Sequence, residues 1–250
     1  MTWLGRLRRT EQRVHLPVGS VQDLGESPLW PALAVLTAAG LYATLPGRFI
    51  VGSGAGAFGA LRWIVPALTV VLIVPLALTV PRNQRFLRAA EAQVAKVRLS
   101  RRVASNAVIA LITAANGISI ILLVHLLVNG AHTQANLLLK AGIHLWITNV
   151  LVFALWFWQL DGGGPLARPT TPPHERDFLF PQQTEPVLLV GGWAPKFLDY
   201  LFVSFTNSSA FSPTDALPLS RWAKMLMLVQ SAISLSLAVM VVARAVNILK

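Results

Sequence analysis

The chain has 250 residues, of which 54% are hydrophobic, only 12% are charged and none is cysteine. This composition is typical of an integral membrane protein, argues against a soluble helical bundle and excludes disulfides and thiolate chemistry. The formal net charge of +11 favours contact with anionic lipid over nucleic acid, because arginines beside apolar spans usually set membrane topology.

A polar tail, residues 1–28, precedes five apolar runs. Each run approaches or exceeds the roughly 20 residues that a membrane-spanning helix needs, and tryptophans stand at several of their ends, where membrane interfaces favour them. We therefore predict an all-α, polytopic protein of the plasma membrane with five transmembrane helices. The predicted spans are residues 30–46, 63–80, 103–128, 135–159 and 222–248.

Two linkers have distinct compositions. Residues 82–102 carry seven Lys or Arg side chains against one acid, Glu91, and we predict a helical, cytoplasmic basic loop that contacts anionic lipid. Residues 161–192 contain Gly162, Gly163 and Gly164 and several prolines, so we predict the longest extramembrane loop, without regular structure. Most Lys and Arg lie in the N-terminal tail and in residues 82–102, which places the N-terminus and residues 161–220 in the cytoplasm.

A polar cluster is predicted inside the membrane. Lys140, His144 and Thr148 recur every four residues and share one helical face, and His125 on the preceding span should lie at a similar depth. Such residues are costly in hydrocarbon and are typical of proton- or voltage-responsive sites. The alternative is that Lys140 extends to the interface and His144 bonds a neighbouring helix.

Two stripes of small and polar residues mark the third and fifth spans. We expect them to let helices pack closely, with a water-lined path as the alternative. The stripes are Asn106, Thr113, Asn116 and Gly117 on the third span and Gln230, Ser231, Ser234 and Ala238 on the fifth.

Enzymatic and metal-dependent chemistry find little support. The five histidines form no zinc-type motif, so we predict no metal and no cofactor. Ser53 lies between two glycines but lacks the strand and helix of a nucleophile elbow, and we predict no enzyme activity. No Asp or Glu falls inside the five predicted spans, which argues against a carboxylate-based proton pump or ion-coupled transporter.

Residues 193–220 combine a short aromatic helix with a polar turn broken by proline. Pro195 suits the first helical turn and Asp199 the positive end of the helix dipole. The helical part, up to Thr206, is about half as long as a bilayer is thick, so we predict a re-entrant half-helix. The candidate pore-loop residues are Thr206, Asn207, Ser208, Ser209, Phe211, Ser212, Pro213, Thr214 and Asp215.

This stretch resembles the pore module of potassium-channel-like proteins. The phrase Asp-Tyr-Leu-Phe-Val-Ser-Phe-Thr at 199–206 is followed, at the spacing of that family, by Asp215, Pro218 and a long helix. The order of spans, the basic loop and the phrase at 204–206 are also similar to an uncharacterised bacterial multi-pass membrane family with a degenerate pore-like segment. The first resemblance covers about the last 90 residues and the second covers most of the chain.

The segment departs from a potassium filter at its glycines. Where the family has Thr-Val-Gly-Tyr-Gly-Asp, this chain has Ala-Phe-Ser-Pro-Thr-Asp at 210–215. Ser212 and Thr214 replace the glycines and Pro213 removes a backbone N–H, so stacked carbonyls of the potassium type are not expected. Hydroxyl groups could line a less selective constriction, or Phe211 could plug it. Potassium channels also insert this loop from outside, whereas the charge count here places it inside.

The resemblance implies a three-part chain. The parts are a tail (1–28), a three-span region (29–129) and a pore-like module (130–250). We expect a homo-oligomer that conducts ions through residues 208–215, because one chain with a single pore loop cannot enclose a channel-type pore. The alternative is a non-conducting membrane scaffold or partner subunit.

Overall fold

The computed structural model describes residues 27, 29–50, 63, 66–69, 91–128, 135–165, 167–168, 171–172, 175–184, 193–209 and 216–248. Helices dominate these residues, as predicted. They are α1 (Leu29–Thr44), α2 (Glu91–Val128), α3 (Ala135–Leu160), α4 (Phe197–Ser209) and α5 (Arg221–Ile248). Three 3-10 turns (Gly47–Phe49, Asp161–Gly163, Pro181–Gln183) and one antiparallel strand pair, β1 (Phe178–Leu179) with β2 (Leu217–Pro218), complete the described structure.

Among the residues that the structure describes, three helices are long and apolar enough to cross a bilayer. The spanning segments are Arg102–Val128, Asn136–Gly163 and Arg221–Ala243, which correspond to the predicted third, fourth and fifth spans. The predicted first span is α1, an apolar helix of 16 residues, which is shorter than these three. The predicted second span, 63–80, lies largely outside the described residues, as does the N-terminal tail.

Two hydrophobic clusters fix the direction of each helix. At one end of the bundle Val35 of α1 and Ile109 of α2 pack in one cluster with Leu155, near the end of α3. At the other end, residues later in α1 and α2 pack with Leu145, earlier in α3, and with Leu237, late in α5. Thus α1, α2 and α5 run parallel to one another and α3 runs antiparallel. We call the end at which α3 terminates the cap end.

The basic segment is the projecting start of α2. The Trp156 indole N–H donates to the Thr113 hydroxyl oxygen (2.9 Å), which sets these two helices in register near the cap end. Since α2 begins at Glu91, it extends past the end of α3 by roughly 25 Å at 1.5 Å per residue. Residues 91–102 are therefore helical, as predicted, but continuous with the span, and residues 82–90 lie outside the description.

The prediction that residues 161–192 lack regular structure is wrong for the described part of 161–184. Gly162, Gly163 and Gly164 have φ values of 58°, 82° and 96°, a left-handed backbone that only glycine adopts easily. A Cβ on Gly164 would lie 2.9 Å from the Gln159 carbonyl oxygen. This turn ends α3 sharply and leads to β1 and the last 3-10 turn. We call residues 161–184, as far as they are described, the cap segment.

Helix α4 starts at the cap end and stops beside the first half of α5. It begins at Phe197, two residues after Pro195, so Pro195 precedes the helix and is not within its first turn. The Lys196 backbone N–H donates to Oδ2 of Asp199 (2.7 Å), which stabilises the start of the helix. The last turn of α4 lies beside Gln230, only the tenth residue of α5. By β2 the chain is back at the cap end, paired with β1.

Candidate functional site

The inner half of α4 is joined to α5 by a buried amide, Gln230. Its side-chain nitrogen lies 2.9 Å from the backbone carbonyl oxygen of Ser204 and 2.6 Å from the hydroxyl oxygens of Ser204 and Ser208. Its side-chain oxygen accepts a hydrogen bond from the Asn207 amide (2.8 Å). Gln230 is fully buried, so these contacts replace the water that a glutamine would otherwise bind.

A second set of bonds ties the same turn to α5 and to α3. The Asn207 amide also donates to the Met227 carbonyl (2.9 Å), and the Ser231 hydroxyl donates to Asn207 oxygens (3.1 Å). On the other side, the Ser204 hydroxyl donates to the Val150 carbonyl of α3 (2.6 Å). One level further along, Asn149 of α3 donates to the Ser234 hydroxyl of α5 (2.9 Å). We call these residues the inner network.

The structure brings together the four described pore-loop candidates but uses their polar groups within the chain. Asn207 and Ser208 belong to the inner network. The Thr206 hydroxyl lies 3.0 Å from the carbonyl oxygens of Phe202 and Val203, and the Ser209 hydroxyl donates to the Phe205 carbonyl (2.8 Å). The other five candidates, Phe211, Ser212, Pro213, Thr214 and Asp215, lie outside the described residues.

The opposite face of α4 is apolar and open. Leu198, Phe202 and Phe205 each keep about half of their surface exposed. Together with Trp146 and Val150 of α3 they line an open groove of about 460 Å³. The Trp146 and Phe205 rings meet edge to face, with centroids 5.8 Å apart. Helix α4 therefore turns its polar side towards α5 and an aromatic side outward.

At the cap end the fully buried carboxylate of Asp161 accepts hydrogen bonds from three separate segments. Its Oδ1 accepts the backbone N–H groups of Asp177 (2.8 Å) and Phe178 (3.1 Å). Its Oδ2 accepts the Tyr200 hydroxyl of α4 (2.5 Å) and lies 3.4 Å from Nε of Arg168. A buried charge is stable only when it is paired and bonded in this way.

The partner of that carboxylate, Arg168, is itself buried and well bonded. Its guanidinium donates to the backbone carbonyls of Asp161 (3.3 Å), Pro195 (3.3 Å) and Trp158. It also lies over the ring of Tyr200, 4.7 Å from the centroid, in a cation–π contact. We call Asp161, Arg168 and Tyr200 the cap cluster.

Aromatic rings enclose the cap cluster. Phe178 and Phe180 contact the Tyr200 ring edge to face, with centroids 6.1 and 5.5 Å apart. Phe157 packs on Phe178, and Trp193 packs on Phe180. The cluster therefore lies in a dry environment, where its hydrogen bonds are stronger than in water.

The cap cluster was not predicted because the predicted fourth span ends at Gln159, four residues before the end of the spanning segment Asn136–Gly163. The five predicted spans contain no acid, but this longer segment reaches Asp161, which lies in the 3-10 turn directly after α3. A usable signal was present, since Asp161 follows an apolar run directly and Arg168 comes seven residues later. Tyr200 is also one of only two tyrosines in the chain.

The residues of the predicted intramembrane cluster occupy different environments. Lys140 and His125 are exposed, Thr148 is buried and donates to the His144 carbonyl (2.8 Å), and His144 is half-buried. Nδ1 of His144 has no hydrogen-bond partner among the described residues. The exposure of Lys140 fits the alternative in which its side chain extends to the interface.

The polar stripes lie mostly where helices meet. Thr113 is bonded to Trp156 of α3, and Asn116 is buried with its side-chain oxygen unpaired among the described residues. On the fifth span Gln230 and Ser234 are buried, whereas Ala238 is exposed. These contacts agree with the expectation that the stripes serve helix packing.

No protein-family model, curated protein or solved structure matches this chain. Among the residues that the structure describes, no group of three or more His, Asp or Glu could hold a metal ion. The described feature with the clearest bearing on function is α4, which is bonded by the cap cluster near its start and by the inner network near its end.

Proposed function

We propose that this protein is a multi-pass protein of the plasma membrane in which α4 is a re-entrant half-helix, and that copies of it assemble into a cation-conducting pore. Residues 208–215 form the constriction. The observation that carries the proposal is the path of α4, which enters at the cap end and stops beside Gln230, the tenth of the 28 residues of α5. Irregular backbone at that depth is stable only when protein or a water-filled cavity surrounds it.

The direction of the helices supports five crossings. Because α1 and α2 both start at the cap end, residues 51–90 join opposite ends of the bundle. The apolar run 63–80 lies within this connection and is long enough to be the return span. With α1, α2, α3 and α5, this gives the five spans that the sequence predicts.

Charge supports a cytoplasmic cap end. Arg102, Lys196, Arg221 and Lys224 are exposed there, and α2 carries further cations on its projecting part. Basic residues are retained on the cytoplasmic side and attract anionic lipid. A reporter enzyme fused to the C-terminus is therefore expected to be active only on the external side, because α5 runs away from the cap end. A cytoplasmic C-terminus would contradict this orientation.

The dipole of α4 favours cations at the constriction. Its C-terminal end, where backbone carbonyls are left over, points to mid-depth, and this end of a helix carries about half a negative charge. In the proposed constriction, the hydroxyl groups of Ser212 and Thr214 would supply further oxygen ligands. Hydroxyl and carbonyl oxygens can replace part of the water shell of a cation in a narrow pore.

Planar-bilayer recordings test the pore. Purified oligomer is expected to conduct cations, and Asp215→Asn or Ser212→Ala is expected to change conductance or cation selectivity severalfold, because both residues lie in the constriction. Ser236→Ala is the control, since Ser236 is exposed on α5 and its hydroxyl donates to its own helix (2.7 Å). Silent bilayers from a folded oligomer would contradict conduction.

A non-conducting membrane scaffold or partner subunit is the second candidate. It is favoured by the inner network, in which Asn207 and Ser208 bond within one protomer. It is favoured also by the apolar outward face of α4, which suits lipid or a partner helix. Oligomeric state separates the two, because a channel-type pore needs several copies, whereas a monomer in native mass spectrometry supports the scaffold. In neither case do we expect enzymatic activity.

A further inference from the structure

We propose that the cap cluster is a lock that sets the position of α4, so that the cap segment and the half-helix move as one unit. This inference concerns the regulation of the proposed pore and rests on the re-entrant placement of α4, but not on conduction. The cluster would let events at the cytoplasmic surface reach the constriction.

The lock connects segments that are far apart in the sequence. Asp161, directly after α3, is bonded to backbone N–H groups at and just before the start of β1, 16 and 17 residues later, and to Tyr200 of α4, 39 residues later. Arg168 adds a bond to Pro195, just before α4. Since β1 pairs with β2, the same carboxylate is linked to the strand that leads into α5. A shift of the cap segment therefore acts directly on the start of α4 and on β2, the strand that precedes α5.

Helix α4 is a suitable element to transmit such a shift. Besides its packing against α3, in which Phe197 and Val203 are buried, α4 is held by polar bonds at two levels. These bonds are made by Tyr200 at the cap end and by Ser204, Asn207 and Ser208 at the inner network, one to two helical turns or roughly 6–12 Å further along. Its outward face meets no described element beyond the edge of α3, so rotation or translation of α4 meets little resistance there.

The bond between Tyr200 and Asp161 can open without dismantling the rest of the cluster. Without it, Asp161 keeps the two backbone N–H groups and Arg168, so the buried charge stays compensated. The Tyr200 ring would still be held by Phe178 and Phe180. The Tyr200–Asp161 bond is therefore one of several links between the cap segment and α4, beside the Arg168–Pro195 bond and the ring contacts of Tyr200, and it can be removed alone.

The test uses spin labels, which the absence of native cysteine makes straightforward. Labels are attached to Phe205→Cys on α4 and Ile121→Cys on α2, both of which are exposed positions. Tyr200→Phe, made in this doubly labelled chain, removes only the hydroxyl. We expect the distance distribution between the labels to become about twice as broad or to gain a second peak, as a shifted two-state equilibrium requires.

Tyr42→Phe is the matched control, because Tyr42 is the other tyrosine and lies on α1, in the cluster away from the cap end. It should leave the distance distribution unchanged. An unchanged distribution in Tyr200→Phe, whether or not the melting temperature falls, would overturn the lock. If Tyr200→Phe alters the label distances but bilayers that contain the purified protein show no current, the pore is rejected and the lock is supported. The two proposals therefore fail separately.

Discussion

Asp161→Asn is expected to lower the free energy of unfolding by about 3–5 kcal/mol, the largest effect of any single substitution considered, because it leaves Arg168 as an unpaired buried charge. An asparagine cannot match the four donors around this position, since two of them are backbone N–H groups of β1 and the others are Tyr200 and Arg168. An asparagine side chain has one acceptor oxygen and one NH2 group. The NH2 group would have to face donor groups, which cannot accept its hydrogens.

The charge argument is tested by removing both members of the pair. Asp161→Asn combined with Arg168→Met is expected to be more stable than Asp161→Asn alone, because a buried pair can be replaced by neutral groups at lower cost than it can be broken. Recovery will be partial, since Arg168 also bonds three backbone carbonyls.

Denaturant unfolding of the purified protein, followed by tryptophan fluorescence, measures both variants. Asp177→Asn is the matched control, because it neutralises another acid of the cap segment. Asp177 bonds to Asp161 through its backbone N–H, which the substitution keeps. It should change stability by less than about 0.5 kcal/mol, as is usual for substitutions away from buried networks. Equal losses for Asp161→Asn and Asp177→Asn would show that the cap cluster contributes nothing specific.

Gln230→Leu is expected to cost about 2 kcal/mol and to free the inner end of α4. The substitution keeps the size of the side chain but removes its contacts to Ser204, Ser208 and Asn207. Hydrogen bonds between helices in membranes average about 0.6 kcal/mol each, and the three that one amide group can make here, two donated by its nitrogen and one accepted by its oxygen, give the stated total. The Ser208 hydroxyl would lose its partner on α5 in a buried position, whereas Ser204 keeps its bond to Val150 and Asn207 keeps its bonds to Met227 and Ser231.

Hydrogen exchange resolves where the loss occurs. In Gln230→Leu the backbone N–H groups in the last turn of α4 should exchange faster, while those of α2 keep the wild-type rate. Ser236→Ala, on the same helix but exposed, serves as the control. Unchanged exchange in α4 would mean that Tyr200 and the apolar contacts hold the half-helix alone.

The spanning helices could be predicted because their signal is local. An apolar run of 20 residues or more must be a helix in lipid, and α2, α3 and α5 appear where the runs are. Helix α4 could also be predicted, since an aromatic run ends at Asn207 and Ser208 before a proline-containing stretch of sequence. Its start moved from the expected Pro195 to Phe197, because the Lys196 backbone N–H is bonded to Asp199.

The partners of the polar residues could not be predicted in the same way. The spacing of Gln230 and Ser234 showed that they share a face, but not that one meets α4 and the other α3. The cap cluster depends on contacts over 7 to 39 residues across a segment whose glycines and prolines suggest a loop. Such contacts follow from tertiary packing, which a single sequence does not encode in any local period.

The glycine turn has a consequence for how α3 ends. A helix leaves its last carbonyl groups without partners inside the helix, and water normally satisfies them. Here the turn from Gly162 to Gly164 folds the chain back so that the Arg168 guanidinium bonds the carbonyls of Trp158 and Asp161. Its positive charge also complements the negative end of the helix. A side chain thus takes the place of solvent, and α3 ends with these carbonyl groups bonded inside the protein, beside the aromatic rings that surround the cap cluster.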